Sequence, residues 1–70
     1  MNQLNPEFEI GEIVKISDLI YDNPIDSEAM IIDYHKTIDE IDGGRTFAYD
    51  LITERLGREL QITERFLERI

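Results

Sequence analysis

Ala29-Met30-Ile31-Ile32-Asp33-Tyr34-His35-Lys36-Thr37-Ile38 runs through Asp39-Glu40-Ile41-Asp42-Gly43-Gly44-Arg45 into Thr46-Phe47-Ala48-Tyr49-Asp50-Leu51-Ile52-Thr53, and this stretch decides the fold. Both flanks are rich in β-branched and aromatic residues, which suit a pleated, half-buried surface. Met30, Ile32 and Tyr34 share one parity on the first flank, and Phe47, Tyr49 and Leu51 share one on the second. Each set is expected to face the core. Between them, Asp42-Gly43-Gly44 is the clearest hairpin signal in the chain, since glycine takes positive φ without a steric cost. The stretch therefore predicts an antiparallel hairpin of residues 29–38 with 46–53.

Upstream, Phe8-Glu9-Ile10-Gly11-Glu12-Ile13-Val14-Lys15-Ile16 alternates in the same way, with Phe8, Ile10, Val14 and Ile16 on the expected inner parity and a bend or bulge at Gly11. Residues 17–28 collect Asp22, Asn23, Pro24, Asp26 and Ser27, turn formers that predict a long exposed acidic loop. Downstream, residues 50–70 support two readings. In the first, Leu56-Gly57-Arg58 is a turn, Glu59 to Ile62 a short strand, and Thr63 onward a helical turn. In the second, Ile52, Leu56, Leu60, Leu67 and Ile70 fall near helical spacing with alternating Glu and Arg. Gly57 inside that helix would cost about 1 kcal/mol relative to Ala, which favours the first reading.

Seventy residues make one domain, 1–70, with residues 1–6 expected to be flexible. The absence of cysteine excludes disulfides and thiolate metal sites, and suits a cytoplasmic setting. The N-terminal residues lack the basic and apolar regions of a signal peptide, and the longest apolar run, Ala29 to Ile32, is far too short to span a membrane.

Phe8-x-Ile10-Gly11-Glu12-x-Val14-x-Ile16, the polar loop, Met30 and Ile32 before a glycine turn, Tyr49-x-Leu51, a second turn, and Leu60-x-Ile62-x-Glu64-x-x-Leu67 follow one another in a familiar order. Over residues 7–67 the chain resembles the small Src-homology-3-like β-barrels common in short bacterial and bacteriophage proteins. That resemblance implies an all-β, five-stranded barrel with a short C-terminal helical turn. The alternative from the second reading is an α+β fold, a β-hairpin sheet plus a C-terminal helix. The resemblance also implies an interaction role without naming a partner. The chain lacks the Trp and the aromatic-plus-proline groove of the members that read polyproline, and the basic loop of those that bind RNA.

Charge narrows the function further. The chain carries 16 acids and 7 basic residues, a net −9. All of that excess lies before Arg45, because the arginines and acids of residues 45–70 cancel, and they are expected to pair among themselves. Such an acidic half disfavours nucleic acid and anionic membranes, and favours a basic protein partner. Tyr34, Phe47 and Tyr49 are accordingly expected in the core rather than as a base-stacking platform.

The candidate binding residues form two clusters. Asp18, Asp22, Asp26 and Glu28 surround Ile20 and Tyr21 in the long loop. Asp39, Glu40 and Asp42 surround the hairpin turn. An acidic rim around apolar anchors is the composition of a protein-binding surface. The second cluster fails the EF-hand ligand pattern, since Ile41 and Gly43 fall where carboxylates are required, so no metal and no cofactor are expected. His35, the only histidine, is expected on the solvent side of its strand with no nucleophile near it, and no catalytic residues are assigned. The expected function is a non-catalytic, monomeric interaction module. The alternatives are a nucleic-acid mimic that blocks a DNA- or RNA-binding protein, and self-association along a helical Arg/Glu seam in residues 54–69.

Overall fold

A computed structural model describes residues 4–70. Five strands, β1 (Ile13–Ile16), β2 (Glu28–Ile38), β3 (Arg45–Thr53), β4 (Glu59–Thr63) and β5 (Leu67–Arg69), form one antiparallel sheet in the order β4-β3-β2-β1-β5, with a single 3-10 turn at Glu64–Phe66 before β5. β4 and β5 are the outer strands and do not pair with each other, so the sheet is not closed. The class is all-β, and the helical reading of residues 50–70 is overturned. Gly57 (φ 65°) turns the chain so that Thr53 N–H bonds the Arg58 carbonyl at 2.9 Å, which sends β4 back along β3. No helix is left to carry an Arg/Glu seam. No helix of the described residues is long and apolar enough to cross a membrane.

The hairpin forms as expected, but one parity is reversed. Ala29 and Ile31 are fully buried, whereas Met30 is 39% exposed. The reason is a β-bulge between Ile31 and Asp33. Pairing with β1 sets Ala29 opposite Val14, both inward; pairing with β3 farther on sets Tyr34 opposite Tyr49, also inward. These two demands have opposite parity, and the extra residue at Ile32 reconciles them. Met30 is thereby turned to the outer face beside Ile13 and Ile52.

The first strand is shorter than expected. Ile10 and Gly11 (φ 91°) form a turn ahead of β1, which leaves Ile10 59% exposed. Phe8 is fully buried nonetheless, packed edge-to-face on Tyr49 with centroids 5.6 Å apart. The core is completed by Val14, Ile16, Ile31, Leu51, Ile62 and Leu67. Glu7 is held by its N–H, which donates to the Tyr49 hydroxyl (3.0 Å) and to Glu64 Oε1 (2.9 Å). Of the segment expected to be flexible, residues 1–3 lie outside the described residues.

Candidate functional site

The loop between β1 and β2 is organised by its own side chains. Ser17 N–H reaches back to the Phe66 carbonyl (2.8 Å), and the Ser17 carbonyl accepts from Ile20 and Tyr21. Tyr21 then donates its hydroxyl to Asp26 Oδ2 at 3.0 Å. Asp26 itself is 1% exposed. Its Oδ1 accepts the N–H groups of Arg55 (3.0 Å) and Leu56 (3.1 Å), so one carboxylate ties the loop to the β3–β4 turn. Burial pushes the Asp26 carboxyl upward, but hydrogen bonds from Thr53, Leu56, Arg55 and Tyr21 outweigh it and hold the pKa below its ordinary value. Asp26 therefore leaves the expected binding surface. Its charge fastens the backbone of the β3–β4 turn to the loop.

Asp39 is corrected in the same way. It is 6% exposed, and its Oδ1 accepts Ile41 N–H at 2.8 Å to shape the hairpin turn. Its Oδ2 meets Arg65 Nε at 2.6 Å. The Ile41 bond first, and Arg65 after it, hold the Asp39 pKa down against burial. Asp42 caps Gly44 N–H (2.7 Å) and takes the second arm of Arg65 at 3.0 Å. The carboxylate oxygens of Asp39 and Asp42 that a cation would need are thus engaged, and among the described residues no group of three His, Asp or Glu side chains could hold a metal ion. His35 is exposed on β2 opposite Ala48, as expected.

The arginines do not pair within their own half. Arg65 bridges to Asp39 and Asp42, and Arg69 lies 3.6 Å from Glu7 and 3.3 Å from Glu12. The asymmetry along the sequence is therefore partly cancelled in space. Net −9 still stands, and self-repulsion works against the compact state. Raising salt from about 0.02 M to about 0.5 M should screen it and raise Tm by several degrees in a calorimetric scan. A flat Tm over that range would contradict the expectation.

What remains exposed is smaller and better defined. A groove of about 340 Å3 runs between the two sequence clusters, lined by Ile20 from the loop, Glu40 and Ile41 from the hairpin turn, and Phe66 from the 3-10 turn. Ile20 is 44% exposed and Ile41 65%. Asp18, Tyr21 and Asp22, with Lys15, line a second groove of about 230 Å3. Glu28 lies elsewhere: it pairs across β1 with Lys15 on the outer face of the sheet. The expected residues Asp18, Ile20, Tyr21, Asp22 and Glu40 thus line the two grooves, Tyr21 with its hydroxyl held by Asp26. Ile41 and Phe66 were missed, although a lone isoleucine inside the polar run Asp39 to Gly44 was a signal that could have found the first.

Comparison with protein-family models, with curated proteins and with solved structures finds no match to this chain.

Proposed function

We propose that this chain is a non-catalytic binding module of Src-homology-3-like design that holds a basic segment of a partner protein. The observation that carries this reading is the groove itself. Ile20 and Ile41, distant in sequence, both stand exposed in its lining together with Phe66, and Glu40 is the acid of that lining with no ion pair among the described residues. Solvent-exposed aliphatics beside free carboxylates fit a segment that alternates apolar and cationic side chains. Asp18 and Asp22, exposed on the adjoining stretch of loop, extend the same sign of charge. The strand order, the bulged long β2 and the 3-10 turn between β4 and β5 support the design. Nucleic-acid mimicry has less support, because it needs a regular array of free carboxylates, and Asp26, Asp39, Asp42, Glu7 and Glu12 are buried or paired.

Binding of a short peptide alternating arginine and leucine, followed by surface plasmon resonance, tests the reading. Ile41→Ser should speed dissociation about tenfold by removing an anchor. Glu40→Lys should slow association several-fold with little change in dissociation. Both side chains are exposed, so neither change disturbs the core. Parent-like kinetics for both variants would remove the groove from the account.

A further inference from the structure

β2 has a free edge beyond its bulge. β1 pairs only with Glu28 to Met30 of β2, and the turn before it adds only the bonds from Gly11 N–H to the Ile31 carbonyl and from Ile31 N–H to the Glu12 carbonyl. On that side no strand among the described residues pairs with Tyr34 to Ile38.

Ladder alternation fixes which groups are left over. Asp39 N–H donates to the Gly44 carbonyl, so Thr37 opposite Thr46 and His35 opposite Ala48 are the hydrogen-bonded pairs of β2 with β3. The even residues Tyr34, Lys36 and Ile38 then direct their N–H and C=O groups away from β3, to the open edge. Tyr34 N–H is met locally by Asp33 Oδ1 at 2.8 Å. The N–H groups of Lys36 and Ile38 meet no acceptor among the described residues.

The side chains at this edge have their own character. Lys36, Ile38 and Arg45 lie on one face of the hairpin end and, with Leu4, line a groove of about 360 Å3. Ile38 is 58% exposed. Lys36 and Arg45 form no ion pair among the described residues, in a chain whose acids outnumber its bases more than two to one. A second copy of the same edge is a poor occupant, because antiparallel self-pairing brings Lys36 of each copy close together, the usual device against such pairing.

We infer that the edge Tyr34–Ile38 takes up an extended acidic segment of a partner protein as an added strand. Its backbone completes the ladder at Lys36 and Ile38, and the carboxylates that alternate onto the face of Lys36 and Arg45 meet those two cations. This site is distinct from the acidic groove at Ile20 and Ile41 and has the opposite preference.

The probe is a short N-acetylated peptide alternating glutamate and valine, titrated into 15N-labelled protein. At about 0.15 M salt the Debye length of roughly 8 Å screens the overall negative charge. Amide shifts should centre on Lys36 and Ile38, with slowed hydrogen exchange at both. Ile38→Pro removes one outward donor and leaves the β2–β3 ladder intact, and should weaken binding at least about tenfold with a native-like spectrum. The double variant Lys36→Glu with Arg45→Glu should do the same through charge. The inference is overturned if the lysine/valine peptide binds the edge as well as the glutamate/valine one. It is equally overturned if the shifts fall elsewhere, if Ile38→Pro binds like the parent, if the protein dimerises through this edge, or if Lys36 and Ile38 amides are already protected in the free protein.

Discussion

Phe8→Ala is expected to leave the chain largely unfolded at 25 °C. The ring is fully buried, packs edge-to-face with Tyr49, and has the Arg69 guanidinium 5.0 Å over it. No strand ladder holds Phe8 in place, since β1 begins only at Ile13. Its burial is what seats the segment ahead of β1 across the sheet, and with it the Tyr49 hydroxyl that donates to Glu64 at 2.5 Å. Removing a buried phenylalanine costs about 3–5 kcal/mol. A core of this size supplies a net roughly 3–5 kcal/mol. The two are equal within their spread, so the variant should show neither a near-ultraviolet circular dichroism signal nor a cooperative melt. Phe8→Leu, which keeps most of the volume, should fold with a lowered Tm. A Phe8→Ala protein that melts within a few degrees of the parent would show that the N-terminal segment is dispensable.

The second large effect falls on Asp26. Asp26→Ala removes the acceptor for Arg55 N–H, Leu56 N–H and the Tyr21 and Thr53 hydroxyls together, so several donors lose their partner at one buried carboxylate. A fall in Tm of about 10 °C or more is expected for a domain of this length. Tyr21→Phe, which deletes one of those donors and leaves the others, should cost much less. The same carboxylate gives the protein an acid limit. Its folded pKa lies below the ordinary 3.8, so its contribution is complete above that value and is lost as pH falls through the folded pKa. Asp39, depressed for its own reasons, adds to the same window. Tm of the parent should therefore drop below about pH 4, and Asp26→Asn should start lower and decline less steeply with acid. Parallel pH curves for the two proteins would count against this assignment.

How much of this was readable in the chain depends on the range of each interaction. The 29–53 hairpin was legible because alternation and Gly43-Gly44 are local. The outward turn of Met30 was not, because it follows from two neighbours of β2 that demand opposite parities, and only their pairing reveals the bulge at Ile32. β5 escaped notice because three residues carry no periodicity. The acids were visible as charges, but their fates were not. Asp26 meets backbone 29 and 30 residues away, and Arg65 meets Asp39 26 residues away, separations at which no spacing rule operates. Asp18, Ile20, Tyr21, Asp22 and Glu40 were legible as a surface composition. The gathering of Ile20 and Glu40 with Ile41 and Phe66 depends on the 3-10 turn that carries Phe66 into the same groove.

The central claim is that the exposed groove between loop 17–27 and the hairpin turn receives a basic segment. Its most direct test is a 15N amide-shift titration with the arginine/leucine peptide. Saturable shifts confined to Ile20, Glu40, Ile41, Phe66 and their neighbours are expected, with Kd below about 1 mM at physiological salt. Shifts scattered over the acidic surface without saturation, or none at all, would contradict it.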